Sequence, residues 1–257
     1  MARYCARIEY DGTGYYGFQR QRDDQPTIQR AIEDALAQVV RQPVRVAGAG
    51  RTDSGVHATG QVIGFDVVWR HGVDKLQRAL NANLPADIVI LQLDETTATF
   101  HPRFDARRRA YVYQISNTAV RHPLQRYRSW HVSQPLDIAL MNEAARCLPG
   151  VHDFATFGQP PQGEQTIREV FAAQWQRQGE MLVFFIEANA FLYRMVRSLV
   201  GSMKAVGDGR WSTDEFKAAF AACDRRLSGM AAPAHGLYLV SVTYGEEQHE
   251  NIRNKTG

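Results

Sequence analysis

Features that define several other classes of protein are scarce or missing in this chain. It has three cysteines in 257 residues, Cys5, Cys147 and Cys223, and no two of them form a Cys-x-x-Cys pair. This count and spacing indicate neither a disulfide framework nor a zinc site, so we expect reduced thiols in the core. No apolar stretch is long enough to span a bilayer, and the first ten residues do not form a secretion signal. We therefore expect a cytoplasmic protein without a membrane span.

Signatures of a bound cofactor or metal are also missing. Gly48-Ala49-Gly50 lacks the lysine of a P-loop and the third glycine of a dinucleotide-binding motif, and His57 has no partner at the spacing of metal ligands. We expect neither a metal nor a small-molecule cofactor. Ser54, His57 and Asp53 are the residue types of a serine hydrolase, but no Gly-x-Ser-x-Gly motif accompanies them, so that class remains a less favoured alternative.

Positive charge is concentrated in one segment. The net charge of the chain is only +3, yet residues 101–130 contain seven arginines and a single acidic residue, Asp105. Such a cluster is typical of a surface that binds a polyanion, or of an ordinary solvated strand and loop. The arginines are Arg103, Arg107, Arg108, Arg109, Arg121, Arg126 and Arg128.

The spacing of apolar residues predicts two halves with the same order of elements, β-α-β-β-α-β, which is that of the ferredoxin-like unit. We expect an α+β chain with domains at 1–105 and 106–245, a polar tail at 246–257, and a ligand-binding cleft between the halves. The predicted strands are 4–10, 43–49, 60–67, 88–91, 107–116, 165–177, 180–189 and 237–244. The predicted helices are 27–41, with an N-cap at Thr27, then 73–84, 136–148, 190–206 and 213–222.

The loop within residues 48–62 contains four glycines, at positions 48, 50, 55 and 60, around Asp53. A loop aspartate is ordinarily an Asx-turn residue that bonds its own backbone. Here the glycines permit positive φ or the close approach of another molecule, and Arg51 favours the ionised carboxylate. Asp53 is therefore also a candidate nucleophile or base.

The second half offers candidate partners for a ligand. A strand at 107–116 puts Arg109, Tyr111 and Tyr113 on one face, where the rings either stack on a nucleobase or pack on the sheet. In the next long helix, Arg194 and Arg197 lie off the apolar stripe, so they face solvent or one of them reaches a carboxylate.

Seven blocks of sequence, in order, resemble the TruA-type tRNA pseudouridine synthases over residues 3–244. The blocks are Glu9–Gln19, Gly50–Ala58, Phe100–Phe104, Arg108–Tyr113, Asp153–Phe157, Phe191–Arg197 and Ala232–Leu237. The resemblance implies the pseudouridine synthase fold, in which two ferredoxin-like or RRM-like halves have antiparallel sheets flanked by helices, with the active-site cleft between them. Phe18 stands where that family often has tryptophan, and Ala234-His235 where a second proline is common; neither touches the implied chemistry.

The resemblance also implies roles for individual residues. Asp53 is the catalytic aspartate, Tyr111 stacks near the target uracil and is a possible general base, and Arg197 pairs with Asp53. Leu237 lines the base pocket, and Arg51 helps to displace the target nucleotide. The substrate-binding arginines of the basic segment are Arg103, Arg107, Arg108 and Arg109.

The implied activity is the isomerisation of uridine to pseudouridine at positions 38, 39 and 40 in the anticodon stem-loop of tRNAs. It proceeds by base flipping, cleavage of the C1′–N1 bond and formation of a C1′–C5 bond. The implied assembly is a homodimer that binds tRNA across both subunits, with no cofactor and no membrane. A non-catalytic RNA-binding protein of the same fold is the alternative.

Overall fold

The computed structural model describes residues 1–21, 25–160 and 163–245. The chain divides into two compact units, Met1–Arg107 together with the residues from Leu239 onward, and Arg108–Tyr238. The strand that follows residue 236, which the sequence pattern counts with the second half, therefore lies mostly in the first unit. The domain limits 1–105 and 106–245 stay predictions, and the polar tail at 246–257 lies outside the described residues.

The first unit has the predicted ferredoxin-like order. Its antiparallel strands are neighbours in the order β4-β1-β3, and the short β2 pairs with β3. The N-cap at Thr27 is confirmed, because its side chain accepts a hydrogen bond from the amide of Arg30. The elements are β1 (Ala2–Tyr10), α1 (Ile28–Val40), β2 (Ala47–Gly48), β3 (His57–Val67), α2 (Val73–Asn83) and β4 (Ile88–Thr96).

The second unit contains most of the same order. Its elements are β5 (Arg108–Ser116), β6 (Trp130–His131), α3 (Ile138–Ala145), β7 (Gly150–Asp153), β8 (Ile167–Gln178), β9 (Met181–Ala188), α4 (Met195–Gly207) and α5 (Thr213–Ala221), and the first two residues of β10 (Leu237–Thr243). The succession β5, α3, β8, β9, α4 gives β-α-β-β-α, whereas the last strand lies mostly in the first unit, and β6, β7 and α5 are additions. Strands β5, β9, β8 and β7 are antiparallel neighbours in that order, and β6 pairs with β5 in parallel.

Two predicted strands differ in the structure. The strand expected at 43–49 is reduced to the two residues of β2. The strand expected to be wholly buried at 88–91 is the start of β4, where Ile88 and Ile90 are buried while Val89 and Leu91 are exposed. The reason is that successive side chains of a strand point to opposite faces, and only the face with Ile88 and Ile90 is covered.

The long helix of the second unit begins five residues later than predicted. Arg194 has the left-handed φ of 61° and forms the N-cap of α4, so the helix starts at Met195. Before it, Tyr193 pairs with Gln159 through two backbone hydrogen bonds. The predicted apolar stripe is confirmed as core, since all its members are buried: Leu192, Met195, Val196, Leu199, Val200 and Met203.

The expectation of thiols in the core is confirmed for Cys5 only. Cys147 is half-buried and Cys223 is exposed.

Among the residues that the structure describes, none of the helices is both long and apolar enough to cross a membrane.

Candidate active site

Asp53 lies half-buried in the loop 49–56 of the first unit, which connects β2 to β3. The amide of Val56 donates to the carbonyl oxygen of Asp53 at 3.1 Å, which closes a turn through Ser54 and Gly55. Gly55 has a φ of +76°, a conformation that a side chain would strain. The turn that carries the Asp53 carboxylate therefore requires glycine at position 55.

The segment 10–18 holds this loop by its backbone. The amide of Phe18 donates to the carbonyl oxygen of Thr52 at 3.0 Å, and the amide of Gly55 donates to the carbonyl oxygen of Tyr15 at 3.3 Å. Gly17 has a φ of +95°, and a Cβ there would lie 2.7 Å from the Thr52 carbonyl oxygen. Asp53 thus sits on backbone fixed by a segment some 40 positions earlier in the chain.

Two buried side chains of the first unit also bond the loop. The hydroxyl of Tyr10 lies 2.8 Å from Oγ1 of Thr52. The amide of Gln61 donates from Nε2 to the carbonyl oxygen of Gly50 at 2.8 Å, and Oε1 accepts from the amide of Gly50 at 3.2 Å. Burial raises the pKa of Tyr10 to about 12, although hydrogen bonds with Thr52 and Gln61 act to lower it. The phenol is therefore a neutral hydroxyl at physiological pH.

Two of the predicted glycines make room for the protein itself. A Cβ at Gly48 would lie 2.4 Å from the ring of Phe18, and one at Gly60 would lie 2.1 Å from the carbonyl oxygen of Val240. At positions 48 and 60 the molecule that approaches closely is the protein itself. Their absent side chains allow close packing inside the first unit.

Ser54 and His57 have partners that favour structural roles. The hydroxyl of Ser54 donates to the carbonyl oxygen of Tyr15 at 3.1 Å. His57 is buried, its Nδ1 accepts from the amide of Gly12 at 3.1 Å, and a carboxylate oxygen of Asp11 lies 3.0 Å from the same nitrogen. Both side chains thus connect the loop to residues 11–15, which argues against a serine nucleophile with a histidine base.

In the second unit, the predicted strand face is present on β5. Arg109, Tyr111 and Tyr113 are buried. Arg109 donates to the carbonyl oxygen of Asn189 at 2.8 Å, and the ring of Tyr111 meets that of Phe191 edge to face with centroids 4.9 Å apart. The edge-to-face contact leaves the orientation of the Tyr111 ring fixed by packing.

Arg197 bonds the backbone of the segment that leads to Leu237, within the same unit. Nε of Arg197 donates to the carbonyl oxygen of Ala232 at 2.7 Å, and the hydroxyl of Tyr113 donates to that of Pro233 at 2.8 Å. These two bonds fix the segment that leads to Leu237, whose side chain is buried. Arg194, in contrast, is exposed and stacks over the ring of Tyr193 at 5.0 Å.

The predicted substrate-binding arginines have different surroundings. Arg51 and Arg107 are exposed. Arg103 lies 5.7 Å above the centroid of the Phe104 ring. Arg108 is stacked 4.1 Å above the ring of Phe171 and forms a 3.0 Å ion pair with Glu187. The buried Arg109 is bonded to backbone, so these side chains are not equivalent as candidate phosphate contacts.

Tyr10 and Gln61 were not predicted as partners of the loop. Tyr10 lies within the first block of the resemblance, and Gln61 lies within residues 48–62, three positions after the second block. A single polar residue in a strand gives no sign of the residue that it bonds. The one signal in the sequence for contact with this loop is the pair Gly12 and Gly17 in the first block, because glycines are typical of places where two backbone segments approach closely.

The first unit, with its β-α-β-β-α-β order and a carboxylate on a loop held by backbone hydrogen bonds, and the related second unit agree with the α+β fold expected for a pseudouridine synthase. A family model described as tRNA pseudouridine synthase matches residues 6–105 and 144–245. The chain belongs to the tRNA pseudouridine synthase family, whose members are isomerases.

Relatives agree with this assignment over nearly the whole chain. The tRNA pseudouridine synthase A of Rhodospirillum rubrum is 41% identical over 249 residues, which cover 96% of this chain and 89% of the relative. The protein of the same name from Caulobacter vibrioides strain NA1000 is 44% identical over 248 residues, 96% of this chain and 100% of the relative. The one from Afipia carboxidovorans is 43% identical over 249 residues, 95% of this chain and 100% of the relative.

Proposed function

We propose that this chain isomerises uridine to pseudouridine in tRNA, at positions 38, 39 and 40 of the anticodon stem-loop, and that it works in the cytoplasm as a homodimer. Membership of the family and the names of its relatives support the tRNA substrate. The observation that carries the catalytic role is the Asp53 loop, which Phe18 and Tyr15 hold through backbone hydrogen bonds with Thr52 and Gly55. Positions 38–40 follow from the resemblance to the TruA-type enzymes.

The reaction needs a carboxylate rather than a redox group. The C1′–N1 bond of the uridine breaks and a C1′–C5 bond forms, while the base turns over and stays bound. C5 loses its proton to Tyr111, which releases it to solvent, and N1 gains a proton. Asp53 acts in one of two ways. In the first, it attacks C1′ as the C1′–N1 bond breaks, and it leaves C1′ again when C5 attacks that carbon. In the second, it removes the 2′ proton to give a glycal as the C1′–N1 bond breaks, and it returns that proton to C2′ when C5 attacks C1′. Both routes require the carboxylate to be held at a defined distance from the sugar.

Three residues of the second unit complete the proposed site. Arg197 pairs with Asp53 and keeps it ionised, and its bond to Ala232 supports a defined orientation of the guanidinium. Tyr111 stacks on the target uracil and serves as the base that accepts the C5 proton; its packing on Phe191 supports a fixed ring. Leu237 lines the base pocket, on a segment anchored by Tyr113.

Arginines outside this centre bring in the RNA. The target base must leave its stack, which costs a few kcal/mol, and in this proposal the exposed Arg51 displaces the nucleotide. Arg103 and Arg107 contact phosphates, with Arg108 and Arg109 contributing less because they bond Glu187 and Asn189.

Release of tritium from tRNA labelled at uridine C5 tests the proposal. We expect the protein to release tritium into water and Asp53→Asn to release none above background while binding tRNA with nearly unchanged Kd. Mapping the pseudouridines formed identifies the positions. Binding without tritium release by the unsubstituted protein would indicate the non-catalytic alternative, and product outside positions 38–40 would overturn the site assignment alone.

A further inference from the structure

Gln61 places its whole amide on the backbone of the Asp53 loop. The side chain is fully buried in β3, at 0% exposure. It donates to the carbonyl oxygen of Gly50 and accepts from the amide of the same residue, and its Oε1 also accepts from the amide of Val62 at 3.2 Å. This two-point contact fixes the position of Gly50 and the direction in which the chain leaves it.

Tyr10 fixes the chain on the other side of Arg51. Its hydroxyl bonds Oγ1 of Thr52 at 2.8 Å, and Tyr10 and Thr52 are 2% and 7% exposed. The same hydroxyl interacts with Gln61, so the three side chains form one buried polar network. Within it, Gly50 and Thr52 are both held, and Asp53 is the next residue in the chain.

A buried network of this kind restricts the loop to one arrangement. If the loop moved, Nε2 of Gln61 would lose its acceptor and Oε1 would keep only the amide of Val62, in a place that water does not reach. A buried polar group left without a partner destabilises such an arrangement. The rate is sensitive to such movements, because a displacement of about 1 Å at a reacting group lowers the rate on the order of 100-fold.

We propose that Gln61 and Tyr10 are positioning residues for the isomerisation: they hold Gly50 and Thr52 and thereby set where the Asp53 carboxylate meets C1′ of the substrate. The inference rests on the proposed function. It differs from a purely structural role, in which the network stabilises the unit without setting the rate.

The chain contains a matched control for Gln61. Asn81 of α2 forms the same two-point contact with the backbone of Ile90, donating at 2.9 Å and accepting at 2.8 Å, away from the loop. Gln61→Met and Asn81→Leu each remove one amide that bonds a backbone residue twice. Both are expected to lower the free energy of unfolding, so only the rate distinguishes positioning from stability.

The experiment measures single-turnover tritium release, the Kd for tRNA and urea unfolding for both variants. We expect Gln61→Met to lower the rate at least about tenfold with a Kd within about threefold, and Asn81→Leu to keep its rate within about threefold. A rate for Gln61→Met within about threefold of the unsubstituted protein overturns the proposal, as does an equal loss in Asn81→Leu.

A second, milder pair of variants tests the proposal if Gln61→Met does not fold. Tyr10→Phe removes only the hydroxyl that belongs to the network. Tyr4→Phe is the control, since it removes a hydroxyl from another buried tyrosine of β1, whose ring stacks on that of Phe65. We expect a loss of at least about threefold in rate for Tyr10→Phe and none for Tyr4→Phe; equal rates overturn the proposal. Asp53→Asn, assayed alongside, distinguishes a failure of the proposed function from a failure of the positioning role. An active Asp53→Asn overturns the proposed function. An inactive Asp53→Asn together with a fully active Gln61→Met overturns only the positioning role.

Discussion

Arg197 and Ala232 hold each other through two hydrogen bonds. Nε of Arg197 donates to the carbonyl oxygen of Ala232 at 2.7 Å, and the amide of Ala232 donates to the carbonyl oxygen of Arg197 at 2.9 Å. The helix also approaches this segment closely, because a Cβ at Gly201 would lie 1.7 Å from the carbonyl oxygen of Met230. The side chain of Arg197 is thus oriented by backbone, and the segment before Leu237 is fixed by the arginine.

Lysine is therefore expected to replace Arg197 poorly. Arg197→Lys keeps the positive charge but loses the Nε donor and the planar fork. We expect the rate of tritium release to fall at least about tenfold while tRNA binding changes little. Arg194→Lys, one turn away and exposed, is the control and should keep its rate. An unchanged rate in Arg197→Lys would contradict the role of a bound guanidinium.

Gly17 is expected to tolerate no side chain. Its φ of +95° and the 2.7 Å approach to the Thr52 carbonyl oxygen mean that Gly17→Ala strains the backbone and pushes the Asp53 loop. We expect a loss of about 1–3 kcal/mol in the free energy of unfolding by urea, with a lower rate of isomerisation. Gly14→Ala is the matched control, since a Cβ there meets nothing within 4 Å. Equal stability of the two variants would show that the loop yields.

The salt dependence of tRNA binding should distinguish two adjacent arginines. Arg107 is exposed, whereas Arg108 is committed to Glu187 and to the ring of Phe171. If Arg107 contacts a phosphate, Arg107→Ala reduces the slope of log K against log salt by about 0.7–0.9, and Arg108→Ala reduces it less. Equal changes in slope would mean that Arg108 leaves Glu187 when RNA binds.

Acid should weaken the second unit through Asp208. Asp208 is the C-cap residue of α4, where its backbone amide donates to the carbonyl oxygens of Lys204 and Val206, and its carboxylate lies 2.6 Å from Nζ of Lys204. Burial by itself would raise the pKa of Asp208, but hydrogen bonds from Arg210 and Lys204 outweigh it, so the pKa is lowered. The folded protein therefore keeps the charge at a pH where the unfolded chain, with a pKa of about 3.9, binds a proton.

The stability that Asp208 contributes is complete above that unfolded value and is lost as the pH falls through the lower, folded one. Asp208→Asn should reduce the free energy of unfolding at pH 7 by about 2–3 kcal/mol, because it weakens charged hydrogen bonds. Urea unfolding at a series of pH values should show the difference shrinking in acid. Asp224→Asn, in an exposed pair with Arg226, should change stability little. A difference independent of pH would contradict this account.

Local rules predicted the elements of the fold better than the structure of the loop. The helical spacing after Thr27 and the alternation along β5 depend on neighbours in sequence, and both predictions are confirmed. The predicted start of α4 was wrong, because Arg194 adopts a left-handed φ that the spacing of apolar residues does not reveal. Apolar content alone did not predict that Val89 faces solvent, since exposure depends on which face of the strand is covered.

The residues of the candidate site likewise include some that the sequence indicated and some that it did not. Asp53 stood out because glycines surround it, and Gly55 indeed supplies a turn. Tyr10 and Gln61 could not be found, because hydrogen bonds to Thr52 and Gly50 join positions 42 and 11 residues apart. Such long-range polar contacts follow from the folded arrangement and leave no periodic pattern in the sequence.

The close contact of Gly60 with Val240 has a consequence for the order of synthesis. The first unit takes its last strand from the far end of the chain, where Tyr244 also packs on Phe100 and donates to the carbonyl oxygen of Pro102. On the ribosome, residues 1–107 emerge long before that strand does, and until then, of the described strands, β2 alone pairs with this edge of β3, at Ile63 and Gly64. The N-terminal unit is thus completed last, after all of Arg108–Tyr238 has been translated.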